Sequence, residues 1–142
     1  MRLFLIALCL SIALGKQERS VKISGVPLNK IILAIIQVES KGNPFATRYE
    51  PHLIKKYKWH KSWGYSYGLM QVVFGFHYKT CNLASPGELF NPLKNIECGS
   101  KIFLSCHSRY RSLRGALNCY NGDKSGRYAR KVERILNART LS

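Results

Sequence analysis

The stretch LNKIILAIIQV, residues Leu28–Val38, decides the fold because its apolar side chains recur at the spacing of a helix. Further apolar residues widen this stripe, so the sequence predicts a helix that is buried on most of its faces. The run ends at Glu39, and the following KGNP, Lys41–Pro44, contains the glycine and proline that favour the end of a helix. A lone carboxylate is therefore predicted at the carboxyl end of a buried helix.

Glu39 shares the apolar stripe of this helix, since it follows Ile35 by four residues and Ile32 by seven. Burial disfavours the charged form of a carboxyl group, and the partial negative charge at the end of a helix acts in the same direction. Both effects raise the pKa of Glu39 and favour a protonated carboxyl group, the form that a general acid needs. The alternative is an outward-facing side chain that pairs with Lys41 or an arginine.

The composition describes a basic protein with a core. The chain has 142 residues, a length typical of one domain, and 46% of them are hydrophobic. Its 23 lysines and arginines outnumber 7 aspartates and glutamates, so the formal net charge is +16. A charge of this size indicates polyanionic partners, such as nucleic acid, anionic lipid or an anionic cell wall, and does not indicate a particular fold.

The first 15 residues have the features of a secretory signal peptide. Arg2 precedes the apolar run Leu3–Leu14, and Ala13–Gly15 has the small-x-small pattern of a cleavage site. We predict cleavage after Gly15, a basic lead-in over residues 16–25 and one folded domain over residues 26–142. An uncleaved membrane anchor is the alternative, whereas a lipid anchor at Cys9 is disfavoured because the residue before it is bulky.

Removal of the signal peptide also removes Cys9 and leaves four cysteines, an even number that predicts two disulfides in an exported chain. A zinc site is disfavoured because none of the spacings is that of a CxxC pair. Cys98 and Cys106 cannot pair if they share a helix, because they would lie about 12 Å apart along its axis and the Cα atoms of a disulfide lie within roughly 7 Å. Of the pairings that remain, we favour Cys81–Cys98 with Cys106–Cys119.

The rest of the chain is predicted to be mainly helical, with at most a small β element. Three further helices are expected. The first begins at Pro92, which directly follows a capping residue, and the other two cover Ser112–Tyr120 and Tyr128–Ala138. Asn43–Gly68 is rich in aromatic residues and is expected to be a long irregular stretch. The short apolar segment Gly68–Phe74 is consistent with a strand or with a helical turn.

The other acidic residues have ordinary structural interpretations. Glu50 is expected to anchor a loop arginine, Glu88 and Glu97 to be solvated or to cap a helix, and Asp123 to stabilise a turn. None of the four histidines has metal-ligand spacing with another histidine or cysteine. We therefore expect neither a metal nor another cofactor. The histidines are His52, His60, His77 and His107.

Five motifs occur in an order that resembles the soluble lytic transglycosylase family. The resemblance extends over about residues 28–136, and it implies a single α+β, mainly helical, lysozyme-like domain. The motifs are VESKGNPFA (Val38–Ala46), YGLMQV (Tyr67–Val72), LFNPLKNIECGSKIFL (Leu89–Leu104), ALNCYNG (Ala116–Gly122) and YARKV (Tyr128–Val132).

The resemblance implies an activity on peptidoglycan. Enzymes of this family cleave the β-1,4 bond between N-acetylmuramic acid and N-acetylglucosamine, and they form a 1,6-anhydro-muramic end without adding water. The Glu of their Glu-Ser motif corresponds to Glu39, which would first protonate the glycosidic oxygen and then accept the proton of the sugar's 6-hydroxyl. A single carboxylate that acts as acid and then as base suits a chain with so few acidic residues.

The resemblance also implies a set of substrate-binding residues. Ser40 would orient the amide region of the substrate, and Gln71 and Asn121 would hydrogen-bond sugar or acetamido groups. The Tyr120 hydroxyl would position Glu39 or stabilise an oxocarbenium-like state, and Met70 would pack the floor of the groove or belong simply to the core. The sequence departs from the family pattern at the cysteine before Tyr120 and in an aromatic insertion, residues 57–67, that could be a sugar platform or a lid.

These inferences predict an exported enzyme, periplasmic or secreted and monomeric, that binds peptidoglycan strands and not nucleic acid. Its positive charge would favour peripheral contact with anionic cell-wall polymers. The first alternative is a lysozyme that uses water as the nucleophile, for which Asp123 or Glu50 would have to face Glu39 across the groove. The second is a non-enzymatic cationic protein that binds walls or membranes, although no clear basic amphipathic helix indicates it.

Overall fold

A computed structural model describes residues 2–140 of the chain and the side chains of residues 4–138. These residues form eight α-helices and two small antiparallel sheets, so the mainly helical architecture that the resemblance implied is confirmed. The helices are Arg2–Ala13 (α1), Lys16–Arg19 (α2), Leu28–Ser40 (α3), Pro51–Tyr57 (α4), Phe74–His77 (α5), Pro92–Tyr110 (α6), Leu113–Asn121 (α7) and Arg127–Thr140 (α8).

Helix α3 is the centre of the core, as its sequence predicted. Its buried side chains are apolar and fall on most of its circumference, because the stripe repeats at helical spacing and is widened by neighbouring residues. The helix ends after Ser40, where Lys41 and Gly42 take the left-handed conformation with φ of 53° and 77°. The buried residues of α3 are Leu28, Ile31, Ile32, Ala34, Ile35 and Ile36.

The long helices after α3 begin and end close to their predicted positions. The Asn91 side chain caps α6 by accepting hydrogen bonds from the first backbone amides of that helix, and Ser112 caps α7 in the same way. Helix α7 ends at Gly122, which has a φ of 77°. Helix α7 packs against α6 and α8, and α8 also packs against α3, so the carboxyl end of α3 lies among the last two helices.

The prediction that Asn43–Gly68 is irregular is wrong. This segment contains strand β3 (Thr47–Tyr49), helix α4, a 3₁₀ turn and strand β4 (Tyr65–Tyr67). Strand β4 pairs antiparallel with β3 and with β5 (Val72–Val73), and a separate hairpin joins β1 (Lys22–Ile23) to β2 (Val26–Pro27). Strands of two or three residues are too short to produce a readable alternation, which is why the sequence did not reveal them.

Both disulfides join the pairs that the sequence favoured. Cys81–Cys98 ties the segment after α5 to α6, and Cys106–Cys119 ties α7 to α6. Cys98 and Cys106 do share α6, which is the reason that they do not pair with each other. Among the residues that the structure describes, Cys9 is the cysteine without a disulfide partner.

Helix α1 lies within the predicted signal peptide and packs against α6. Ile6, Leu10 and Leu14 are buried, and Ile6 lies against Gly42 at the turn after α3. Removal of residues 1–15 would uncover this surface of α6, and the cleavage itself stays a prediction. Over the described part of the chain, no helix combines the length and the apolar character needed to cross a membrane.

One buried amide joins the sheet to α6. Asn95 is 0% exposed, its Oδ1 accepts a hydrogen bond from the Met70 backbone N–H, and its Nδ2 donates to the carbonyls of Tyr67 and Leu89. All three bonds are 2.8 Å long. Gly68 makes this approach feasible, because a Cβ there would lie 2.4 Å from the Asn95 amide and its φ is +73°.

We expect Asn95→Ala to destabilise the fold strongly. The substitution leaves one backbone N–H and two carbonyls without their partner inside the protein, and each buried unsatisfied group costs about 1–3 kcal/mol. The free energy of unfolding, measured by urea denaturation with the disulfides intact, should fall by about 3 kcal/mol or more. Asn91→Ala, which removes the exposed cap of the same helix, is the control and should cost only about 1 kcal/mol. Equal losses would show that the buried amide has no special role.

Candidate active site

Glu39 lies in the last turn of α3, and its side chain is partly buried. Burial raises the pKa of its carboxyl group above the ordinary value of 4.5, and this effect exceeds the opposing effects of its neighbours. The nearby Glu50 charge raises the pKa further, whereas Tyr128, Arg48 and Asn121 lower it. Glu39 therefore has the environment of an acid that keeps its proton at a higher pH than an exposed glutamate.

Two polar side chains from the last helices approach the Glu39 carboxyl group. The Asn121 Nδ2 lies 3.4 Å from the Glu39 Oε1, a long hydrogen bond at the carboxyl end of α7. The Tyr128 hydroxyl is buried and, among the residues that the structure describes, has no hydrogen bond of good geometry. It still acts on Glu39, because it lies close enough for its O–H to stabilise the carboxylate. The sequence predicted Asn121 to face the sugar and did not single out Tyr128.

Asp123 positions Tyr128 and is held as an anion. Its carboxylate accepts hydrogen bonds from the backbone N–H of Ser125 at 2.8 Å, the Ser125 hydroxyl at 2.6 Å and the Tyr128 N–H at 2.9 Å. These bonds lower the pKa of Asp123 from 3.8 to about 2. A negative charge at the start of α8 is also favourable to the helix dipole. The predicted role of Asp123 in a turn is confirmed, and the turn sets the first residues of α8 beside Glu39.

The Tyr120 hydroxyl binds the backbone beside Glu39. It donates a hydrogen bond of 2.6 Å to the Met70 carbonyl, and burial raises the pKa of Tyr120 well above 10, so the group stays a phenol. Met70 is fully buried and packs against Gly99 of α6, where a Cβ would lie 2.4 Å from its sulfur. Met70 therefore forms part of the core, which is one of the two interpretations that its position allowed.

Ser40 and Gln71 shape the loop between β4 and β5. The Ser40 hydroxyl donates to the Leu69 carbonyl at 2.8 Å, with the Ile36 carbonyl 3.2 Å away. The Gln71 Nε2 donates to the carbonyls of Ala46 and Gly68 at 3.1 and 3.0 Å. Their expected contacts with substrate stay predictions. The structure adds a second function, because Ser40 connects the end of α3 to this loop and Gln71 connects the start of β3 to it.

The second carboxylate near Glu39, that of Glu50, is paired with an arginine. Glu50 accepts a hydrogen bond from the Arg48 Nε at 2.7 Å and another from the Ser66 hydroxyl at 3.3 Å, as expected for an anchor of a loop arginine. Glu50 and Arg48 act on the charge of Glu39 in opposite directions. Over the described residues, no group of three or more His, Cys, Asp or Glu is placed to hold a metal ion.

Two residues of this region were not identified as important from the sequence. Tyr128 lies at Glu39 because α8 packs against α3, and Asn95 holds the loop that Tyr120 and Ser40 contact. Both occur inside motifs that carried the family resemblance, YARKV and LFNPLKNIECGSKIFL. Their burial was the missing information, because a buried phenol or amide needs a polar partner and so indicates a specific contact.

Comparison with known proteins identifies one family. The profile described as the transglycosylase SLT domain matches residues 22–135, which is most of the 142-residue chain. The match includes all of the side chains described around Glu39. No curated protein sequence and no solved structure matches the chain.

We expect Glu39→Gln to stabilise the fold at neutral pH. Because burial raises the pKa of Glu39, the folded chain holds the proton more tightly than the unfolded chain. The free energy of unfolding therefore falls as the pH rises from 4.5 through the raised pKa. Glutamine escapes this loss, which is worth about 1.4 kcal/mol for each unit of raised pKa. Urea unfolding of both proteins across the pH range measures the difference.

The same comparison contains its own control. At about pH 3 both proteins carry a neutral group at this position, so their stabilities should converge. Glu97→Gln, at an exposed site on α6 where Glu97 pairs with Lys101 at 3.8 Å, should change stability little at any pH. If Glu39→Gln gained no stability at neutral pH, the carboxyl group would not be desolvated as described.

Proposed function

The chain belongs to the transglycosylase SLT family, whose enzymes act on peptidoglycan, and from that membership we propose that it is a lytic transglycosylase. It cleaves the β-1,4 bond between N-acetylmuramic acid and N-acetylglucosamine and forms a 1,6-anhydro-muramic end. The observation that carries the proposal is the partly buried Glu39, whose pKa is raised at the end of α3.

Glu39 acts first as an acid and then as a base. Its proton passes to the glycosidic oxygen, the bond from that oxygen to the muramic C1 breaks, and the N-acetylglucosamine leaves with a 4-hydroxyl. The muramic 6-hydroxyl then attacks C1, and its proton passes to the Glu39 carboxylate. The bond between O6 and C1 replaces the broken bond, no water is consumed, and Glu39 recovers its proton for the next cycle.

The neighbours of Glu39 suit both halves of this cycle. Desolvation raises the pKa of Glu39 and so favours the protonated carboxyl group that the first half needs. The Asn121 amide, the Tyr128 phenol and the positive charge of Arg48 each stabilise the carboxylate that exists between the two proton transfers. The phenol stays protonated because burial raises the pKa of Tyr128 well above 10.

Substrate binding is assigned to the residues that the family resemblance indicated. Asn121 is exposed beside Glu39 and is suited to bind a sugar or acetamido group in addition to the carboxyl group. Ser40 and Gln71 act mainly by holding the loop next to the catalytic residue, since their hydrogen-bond donors are engaged with backbone carbonyls. Tyr120 supports the same loop through its bond to Met70.

Hydrolysis by an activated water is the competing reaction, and the other acidic residues are poorly suited to it. Glu50 is paired with Arg48 and bonded to Ser66, and Asp123 has a pKa of about 2 and is occupied by three donors. The pKa of Asp123 lies far below the working pH, whereas a general base needs a pKa near it. Attack by the substrate's own 6-hydroxyl is favoured further because well-oriented intramolecular attack is worth roughly 7–11 kcal/mol over a free partner.

The proposed site of action is outside the cytoplasm. Family enzymes act on peptidoglycan there, and the two disulfides suit an oxidising compartment. We propose that residues 1–15 direct export, and that the chain works in the periplasm or after secretion. The net charge of +16 favours contact with anionic wall polymers on the way to the glycan strands.

The proposal predicts the mass of the product. Digestion of purified peptidoglycan should release muropeptides that end in 1,6-anhydro-muramic acid, about 18 Da lighter than the products of hydrolysis because no water is added. Glu39→Gln should lower the rate by about 10²–10⁴-fold or more, since it removes the only proposed acid and base. Mass spectrometry of the digests gives both results.

Glu97→Gln is the matched control and should leave the rate unchanged, because the residue is exposed on α6. Products with only reducing muramic ends would instead identify a lysozyme that uses water. A folded Glu39→Gln protein with ordinary activity would remove Glu39 from the mechanism altogether.

A further inference from the structure

An exposed group of aromatic and basic side chains lies at the end of α4 and on α5. Two of its rings are exposed to solvent, because Tyr57 is 41% exposed and Phe76 is 44% exposed. None of its members acts on the charge of Glu39. We call this group the aromatic–lysine patch, and it consists of Tyr57, Trp59, Phe76, Lys55, Lys56 and Lys58.

The rings of the patch pack on one another. Tyr57 and Trp59 stack with ring centroids 4.8 Å apart and planes 22° apart, and Phe76 meets both nearly edge-on, at 5.3 and 4.9 Å. The Lys56 ammonium lies 5.1 Å from the centroid of Tyr57. Trp59 also lies directly over Gly75, where a Cβ would be 2.6 Å from the indole. The patch therefore presents aromatic carbon and ammonium groups to solvent, with Trp59 stacked on Tyr57 and the Lys56 ammonium over the same ring.

The outer rings lie over a second, inner group of aromatic side chains. Below them, Trp63 packs against Phe74 and Tyr78 with centroids 5.6 and 4.8 Å apart, and Phe74 is buried. This inner group closes the core between the 3₁₀ turn and α5. The outer rings pack on one another and Tyr57 and Phe76 still expose apolar carbon, a feature that marks interaction surfaces.

The surroundings of the patch are positively charged. The sequence contains no aspartate or glutamate from Pro51 to Gly87. Across the described residues, none of the three patch lysines forms an ion pair with a carboxylate. Lys61 and Lys79 are also exposed in this segment and extend the positive region. The positive potential here is thus not offset locally, and it favours an anionic partner.

We propose that the aromatic–lysine patch binds the surface of a bilayer that contains anionic phospholipid. The lysines contact lipid phosphates, and the edges of Tyr57 and Phe76 enter the boundary between headgroups and acyl chains. Aromatic rings are enriched at this depth of a membrane, and basic side chains beside them add electrostatic attraction. The patch shares no residue with the contacts described for Glu39.

A bilayer accounts for both properties of the patch, whereas a soluble wall polymer or a sugar chain accounts for one. A soluble wall polymer offers phosphates to the lysines but no apolar layer for Tyr57 and Phe76. A sugar chain would stack on an open ring face, whereas the Tyr57 ring already has Trp59 stacked on it and the Lys56 ammonium over it. The combination of apolar edges and cations is the pattern of an interfacial membrane site.

The test uses the full chain and two variants of the patch. One is Tyr57→Ser with Phe76→Ser, and the other replaces Lys55, Lys56 and Lys58 by glutamine. Binding is measured by sedimentation with vesicles of phosphatidylcholine alone and with equal parts of phosphatidylglycerol. The lysine variant should bind the anionic vesicles about a hundredfold more weakly than the wild type, and the aromatic variant about tenfold more weakly, because it loses the rings that enter the interface. Quenching of tryptophan fluorescence by brominated acyl chains should fall as well in the first variant.

The matched control replaces Lys30, Lys124 and Lys131 by glutamine and so removes the same charge from other exposed positions. It should lose much less affinity than the patch variants, because only local lysines contact the lipid. Helix α1 is identical in all of these proteins, so its own affinity for lipid cancels. Circular dichroism checks that each variant is folded, and the lysine variant is decisive if the aromatic one does not fold.

Two results would overturn the proposal. In the first, the patch variants bind anionic vesicles as tightly as the control variant does, which would mean that charge alone drives binding. In the second, the patch variants keep their affinity for vesicles and lose affinity for soluble teichoic acid, which would assign the patch to a wall polymer.

Discussion

The site depends on the hydrogen bonds of one buried amide. The Asn95 amide uses both of its donors and its acceptor on backbone groups at β4, at the β4–β5 loop and at Leu89. None of its own polar atoms is therefore left unsatisfied. The loop is thereby fixed on α6, and Tyr120 and Ser40 attach to it from α7 and α3. Three helices are thus held in register around Glu39 by contacts with one short loop.

Helix α6 is the common support of this arrangement. It carries Asn95, the glycine on which Met70 packs, and one cysteine of each disulfide. The Cys106–Cys119 bond is attached to α7 at the residue directly before Tyr120 and Asn121. The part of α7 that carries these two side chains is therefore covalently tied to α6. Such a cross-link limits the freedom of the unfolded chain and also the drift of residues that must approach Glu39 within hydrogen-bonding distance.

Glu39 and Asp123 have opposite acid–base properties because their surroundings differ. Glu39 has one long hydrogen bond and is desolvated, so its pKa is raised. Asp123 accepts three hydrogen bonds at an open helix start, so its pKa falls to about 2. One carboxyl group is thereby suited to exchange a proton and the other to remain a fixed anion that sets the position of Tyr128. Such division of roles by environment is how one side-chain type serves both structure and chemistry.

The sequence by itself determined the long helices, the exclusion of a Cys98–Cys106 disulfide and the place of Glu39 on an apolar stripe, because each depends on periodicity or on the geometry of a single helix. It did not reveal the short strands, which lack a readable period, nor the role of Asn95. Only the tertiary structure decided that Tyr120 binds a backbone carbonyl and that Tyr128 reaches Glu39. The Glu39–Asn121 contact, for example, joins positions 82 residues apart. A local pattern predicts which face of a helix is buried, but the partner of each buried polar group depends on how the helices pack.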